Sequence, residues 1–278
     1  MSKPKPNFEV KPFPLSRRVI IDSGRIGKRK HWMVALIEAD VSEARRIIHA
    51  YKAKTGEDLS FTAFIMACLG AAIDQNKYLH ACRDMWGRVI LFDEVDCTTI
   101  IEIDLEGQKF PLAHVVRAIN KRSPRSIHEE IRLIQSNPQA SASLRHNPKG
   151  FGVFLLLPAF IRDLFYGILS RSPQLMKGQI GTVMVSSVGM FGKGSGWGIS
   201  TGSFYTTDVL LGGIAEKTVT VEGRLTTREY LSITINMDHD ILDGAPAARF
   251  VSRFKERIEE AYGLEDSSFT MTAGPILK

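Results

Sequence analysis

Cysteine is scarce in this chain. The three present, Cys68, Cys82 and Cys97, stand alone in apolar or strand-like stretches. They make neither a close-spaced metal-ligand pair nor a disulfide framework. They read as small core residues of a protein kept in a reducing compartment. Histidine gives no metal site either, because His31, His49, His80, His114, His128 and His146 fall at no ligand spacing. Long hydrophobic runs are missing. The most apolar stretch, Phe151 to Ile161, is too short to span a bilayer and is closed by Arg162 and Asp163. The first eight residues are polar and proline-rich, without the apolar centre of a signal peptide. These absences lead to the expectation of a cytoplasmic protein with no metal and no membrane contact.

What is present suits a globular enzyme or binding domain. Of the 278 residues, 44% are hydrophobic, enough to bury a full core. The net charge of +6 invites an anionic partner, but the basic residues are scattered. Their densest run, Lys28-Arg29-Lys30 with Arg25 before it, has no interleaved aromatics, so nucleic acid is not expected. The run fits a solvated face, or a patch that attracts the phosphates of a nucleotide-bearing cofactor.

Three segments are expected: an extended proline-rich arm over 1–14, one domain over 15–263, and a loose tail over 264–278. Within the domain, a strand is expected from Trp32 to Ala39. Ser42 then caps a helix with apolar Ala44, Ile47, Ile48 and Tyr51, stopped by Gly56. A second helix from Phe61 to Gln75 is apolar almost all round and therefore buried. Arg88–Phe92 and Cys97–Ile103 read as neighbouring strands joined through Asp93 and Glu94. Ser126-x-x-Glu129 is a capping box for a helix to about Ser136. A polar loop over 137–150 leads into an apolar helix from Phe151 to Ser170, broken by Pro158. It is expected to lie in the core, with covering of a trimer core or contact with a partner as the alternative. Strands follow at Gly181–Ser186, Val209–Leu211, Thr218–Val221 and Tyr230–Asn236. A last amphipathic helix carries Ala247, Phe250, Val251, Phe254, Ile258 and Ala261. Helices and strands mix without strict alternation, which predicts an α/β sandwich around a mixed sheet, not a Rossmann fold.

Two places could carry chemistry. His239 follows the strand Leu231–Met237, and Asp243-Gly244 starts the last helix. An imidazole at such a junction can exchange a proton near neutral pH. Asp243 can cap the helix or fix nearby side chains. The spacing fits equally a capping aspartate beside an incidental histidine. The second place is Gly181-Thr-Val-Met-Val-Ser186-Ser187-Val-Gly189. A serine there can donate to a developing oxyanion, or serve as ordinary turn chemistry. Val185 rules out a G-x-S-x-G nucleophile elbow. Gly192-Lys193-Gly194-Ser195-Gly196 misses the phosphate-loop spacing and reads as a flexible turn.

Together these pieces resemble a known family. Asp238-His239-x-x-x-Asp243-Gly244-Ala245 is similar to the H-x-x-x-D-G-A signature of the 2-oxo acid dehydrogenase acyltransferases. The chloramphenicol acetyltransferases share its core. Val183-Met-Val-Ser186-Ser187-Val-Gly189 resembles the family's strand ending in S-[NS]-x-G, and Val209-Leu-Leu-Gly212 its A-I-L-G strand. Ser60 to Asp84 resembles the family's helix and N-A-S-x-D turn, and Pro14-Leu-Ser-Arg17-Arg18 its opening P-L-S-x-x-R. Arg88-Val-Ile-Leu-Phe-Asp93 leans toward the acetyltransferase branch.

The resemblance implies a chloramphenicol acetyltransferase-like sandwich, its mixed sheet flanked by helices. It implies acyl transfer between coenzyme A and a thiol or hydroxyl acceptor, small or carrier-borne. His239 would be the general base, Ser186 the oxyanion donor, and Asp243 the holder of the site's geometry. In the family that aspartate pairs with an arginine, for which Arg17 or Arg18 is the candidate, with Gly244 beside it. It further implies a homotrimer with active sites between subunits. Two departures stand out. Asp240 replaces the family's arginine and is expected to raise the pKa of the adjacent imidazole or to repel an anionic acceptor, and Val95–Pro111 lacks the G-L-x-x-P-V pattern, reading Glu106-Gly-Gln-Lys-Phe-Pro111. A D-K-A lipoylation site and a peripheral-subunit-binding domain are not seen, so no covalent lipoyl group is expected. Two other readings are a non-catalytic trimeric scaffold or ligand-binding relative, and a condensation-type enzyme, which would need the second histidine that Asp238 replaces.

Overall fold

The computed structural model describes residues 8–15, 17–105, 107–141, 148–189, 194–200 and 202–264. Half of the expected arm over 1–14, most of the tail from 264, and the start of the Gly192–Gly196 turn lie outside them.

A six-stranded mixed sheet forms the spine, in the order β1-β8-β7-β6-β4-β5. Its strands are β1 (Trp32–Asp40), β4 (Cys97–Leu105), β5 (Gln108–Val116), β6 (Val183–Ser187), β7 (Thr207–Val221) and β8 (Arg224–Asp238). β6 runs parallel to β4 and β7, and the other pairings are antiparallel. Two short strands, β2 (Cys82–Arg83) and β3 (Val89–Ile90), pair separately. One face of the sheet contributes Val183, Val185, Val209, Leu211, Ile233 and Ile235 to the core. Alternation of buried residues along each strand puts them all on that face.

Helices α2 (Ser42–Thr55), α3 (Phe61–Asp74), α4 (Pro124–Ser136) and α8 (Gly244–Glu259) cover that face. α3 lies between α4 and α8, which is why it needs no polar stripe; Phe64, Ile65, Met66 and Leu69 are fully buried. Truncating such a side chain to alanine typically costs about 2–5 kcal/mol. α8 presents Phe250, Phe254 and Ile258 to the same core, as its spacing predicts. The three cysteines are buried and unpaired, as expected.

A second group of helices, α1 (Arg17–Gly27), α5 (Pro148–Leu156), α6 (Ala159–Ser170) and α7 (Pro173–Ile180), precedes β6 or β1 in the chain. α1 is clamped to α6 by a buried ion pair, in which Arg162 Nε and Nη2 meet Asp22 at 2.8 and 3.1 Å. Arg25 binds Asp163 across the same seam. Pro158 does break the apolar segment, standing at the N-cap of α6.

Several local expectations change. Ser42 is not a cap; the Asp40 carboxylate accepts from Ser42 N–H at 2.9 Å, and Ser42 Oγ accepts from Glu229 N–H instead. The cap of α4 is Ser123 with Pro124 behind it, not Ser126, and Glu129 pairs with Arg125. Arg88–Phe92 shrinks to β3 and is no neighbour of β4, because β5 occupies that flank. β5 is an edge strand, which is where Pro111 is tolerated. The separate strands expected at Val209–Leu211 and Thr218–Val221 are one strand, β7, bulged between Leu211 and Ile214. It turns back into β8 at Glu222-Gly223, both with positive φ, a tight hairpin geometry. The apolar segment expected in the core shows an outer face to solvent: Phe160 is 72% exposed.

Candidate active site

β8 carries the chain out of the sheet centre and delivers His239 at its end. The turn that follows is held from three sides. Asp238 N–H donates to Thr206 O, His239 N–H donates to His31 O at 2.7 Å, and Ile241 and Leu242 N–H return to Asp238 O. The Asp238 carboxylate is buried. One oxygen accepts from Asp240 N–H at 3.0 Å, and the other meets Lys30 Nζ at 3.1 Å. The same ammonium donates to the carbonyls of Phe204 and Tyr205 at 2.9 and 2.6 Å. Lys30 therefore stitches three segments together beneath the histidine. The His239 side chain is exposed, and among the described residues it makes no hydrogen bond.

Asp240 does not serve the imidazole of His239. Its carboxylate bonds His31 Nδ1 at 2.8 Å, and this bond, with the attached charge, raises the pKa of His31. The expectation that it would act on its neighbour is thus redirected by geometry. Asp243 is the N-cap residue of α8 with extended backbone, and its side chain makes no capping bond. Its carbonyl accepts from Ala247 N–H. Neither expected arginine pairs with it within the chain: Arg18 donates to Leu155 O at 2.6 Å, and Arg17 is exposed. Gly244 opens α8, and a Cβ there would meet open space.

Ser186 lies elsewhere on the sheet. It pairs with Leu210 on β7, which pairs with Thr234 on β8. His239 is five residues beyond Thr234 and two strands across. That is about 16 Å along the strands and about 10 Å between them. No rotamer change brings the two side chains into contact within one chain. The turn after Ser186 is pressed against the bulge of β7, and Val188 N–H donates to Leu211 O at 3.0 Å. A Cβ on Gly189 would sit 1.6 Å from Gly212 O, so only glycine permits this approach.

A cavity of about 130 Å³ opens beside the histidine turn, lined by Lys30, Asp238 and Asp240 together with Arg29, Arg83 and Arg171. Both aspartates are already paired. Among the described residues the three guanidinium groups have no acidic partner, so the mouth is net basic. Deeper in the sheet, Asp208 accepts from Asn236 Nδ2 at 2.6 Å and from Ser203 Oγ at 2.7 Å, and burial raises its pKa. Among the described residues no cluster has the makeup of a metal site. The sequence reading missed Lys30 and His31. Lys30 looked like part of a solvated run, and nothing local marks a lysine whose partner is over two hundred residues away.

Residues 170–264, which include Ser186, His239, Asp243 and Gly244, match the family described as 2-oxoacid dehydrogenases acyltransferase (catalytic domain). The chain has the fold of those acyltransferase cores, the mixed sheet flanked by helices that the motifs implied. Among curated proteins it is similar to the mitochondrial dihydrolipoyllysine-residue succinyltransferase component of the 2-oxoglutarate dehydrogenase complex of Saccharomyces cerevisiae. That likeness is 36% identity over 80 residues, 29% of this chain and only 17% of the relative. Among solved structures, the cubic core of a pyruvate dehydrogenase multienzyme complex superposes with a TM-score of 0.66 and 15% identity, covering 95% of this chain and 99% of that one. The dihydrolipoamide acetyltransferase of Azotobacter vinelandii gives the same score at 16% identity, also covering 95% and 99%. At such identities the likeness is one of fold.

Proposed function

We propose that the chain is an acyltransferase that moves an acyl group between coenzyme A and a thiol or hydroxyl acceptor, at a site completed by a second copy of itself. The observation that carries this reading is the division of the site. His239 stands exposed on a rigidly held turn, Ser186 lies far off on β6, and both fall in the matched acyltransferase segment. The Azotobacter vinelandii structure concerns the role of a serine, a histidine and an asparagine in catalysis. Here Ser186, His239 and Asp243 offer a comparable set.

In this reading acyl-CoA is the donor, and Arg29, Arg83 and Arg171 draw its phosphates to the cavity mouth. His239 takes the proton of the acceptor as its sulfur or oxygen attacks the thioester carbonyl. The hydroxyl of Ser186 from a neighbouring copy donates to the tetrahedral oxyanion. Collapse breaks the bond to CoA sulfur, and the imidazolium returns the proton to the departing thiolate. Asp243, at the helix start, holds the turn against the neighbouring copy. A homotrimer gives three such sites, in keeping with a relative known as an assembled core. The acceptor is a small molecule or a carrier-borne group.

The test is CoA release from acetyl-, succinyl- and longer acyl-CoAs with dihydrolipoamide as acceptor. Replacing His239 with alanine should slow turnover by about 10²–10⁴-fold, the usual worth of a general base. Near-full turnover in that variant would refute the assignment.

A further inference from the structure

α5 and α6 turn an apolar face outward that neither the core nor the proposed active site uses. Val153 and Leu156 on α5 are 63% and 62% exposed, and Phe160 and Leu164 on α6 are 72% and 66% exposed. Phe160, Leu164 and Ile168 follow one another at i, i+4 and i+8, so they form a single stripe. The helix cannot roll this stripe inward. Its opposite side is fixed by the buried Arg162–Asp22 pair and by buried Tyr166 and Leu169.

Charge accompanies this face. Residues 15–31 and 148–181, which hold α1 and α5 to α7, contain ten lysines and arginines against two aspartates. Both acids are spent within the group, Asp22 on Arg162 and Asp163 on Arg25. Lys30 and Lys177 pair with Asp238 and Asp96 from outside the group, and the other cations still leave it net basic. Lys28 and Arg17 are exposed with no acidic partner among the described residues. A copy seated face to face on this surface would bring the same cations against themselves, which opposes an isologous contact there.

We infer that α5 and α6 form a docking surface for an anionic lipid bilayer, with the stripe in the acyl boundary and the surrounding cations over the headgroups. No described helix is long and apolar enough to cross a membrane, so the group would lie on the surface. This goes beyond acyl transfer and replaces the expectation of no membrane contact.

The full chain is sedimented with phosphatidylcholine vesicles, with and without phosphatidylglycerol, at low and high salt. A Phe160→Ser/Leu164→Ser variant, checked by circular dichroism, runs alongside. Expected are binding to anionic vesicles, its loss in high salt, and weakening by about tenfold or more in the variant. Failure of the wild type to bind, or equal binding by the variant, overturns the inference. A fall in oligomeric mass of the variant, without vesicle binding by the wild type, overturns it in favour of a copy-to-copy interface.

Discussion

Removing the Lys30 ammonium is the sharpest probe of what holds the histidine turn. Lys30→Met keeps most of the apolar stem and deletes the ammonium, its charge and its donors together. It leaves the Asp238 carboxylate, 4% exposed, without a counter-ion, and the carbonyls of Phe204 and Tyr205 without their donor. Breaking a buried pair from one side costs about 3–5 kcal/mol, mostly because a desolvated charge is stranded. Lys30 keeps 17% exposure, so the lower end applies. At about 2–4 °C per kcal/mol for a domain of this size, the melting temperature should fall by about 6–12 °C. Lys30→Met/Asp238→Asn removes the stranded charge as well and should recover most of the loss. Urea unfolding of the wild type, both single variants and the double variant gives the coupling directly. A Lys30→Met variant within about 1 kcal/mol of the wild type would refute the reasoning, and so would a double variant no more stable than the single. Turnover should fall with the single variant, since the Lys30–His31 segment also supplies the carbonyl that holds His239 N–H.

Three further outcomes test the surroundings. Gly189→Ala puts a Cβ 1.6 Å from Gly212 O, backbone against backbone, and should cost about 3 kcal/mol or more in thermal unfolding. Gly244→Ala meets nothing and should stay within about 0.5 kcal/mol. His80 is buried against Thr182 Oγ1, and burial, aided by the Lys177 charge, lowers its pKa from 6.5 to about 4. The folded state therefore prefers the neutral ring. The stability this gives is intact above 6.5 and is lost as pH falls from 6.5 toward 4, by about 3 kcal/mol in all. His80→Gln should flatten unfolding free energy against pH across that window; an unchanged slope would show that another group governs it.

Legibility in the sequence followed how local each cause is. The histidine motif was readable because strand, turn and helix lie within one stretch of chain. α8 was readable from its apolar spacing. β5 was not, because Pro111 and Lys109 spoil a strand pattern that an edge position tolerates. α3 and α6 show the limit of composition. Both are largely apolar, yet α3 is enclosed while α6 shows Phe160 and Leu164 to solvent. The difference lies in Arg162 and Asp22, which meet across 140 residues and decide which side of α6 faces inward. The Lys30–Asp238 pair was hidden for the same reason.

The separation of Ser186 from His239 makes the divided site testable without any structure of the assembly. If each site takes its histidine from one copy and its serine from the next, His239→Ala and Ser186→Ala chains are separately inactive but mutually corrective. A site formed by the histidine of a Ser186→Ala chain and the serine of a His239→Ala chain is intact. In trimers re-formed from an equal mixture, random assembly makes about a quarter of the sites intact. Co-refolded variants should thus regain about a quarter of wild-type CoA release, while each alone stays near background. The recovered activity should track the mixing ratio and peak at equal amounts. No recovery in assemblies shown to be mixed would mean that the two residues do not meet across copies. Ser186, fixed on β6 beyond the reach of His239 in its own chain, would then have no part in the oxyanion site.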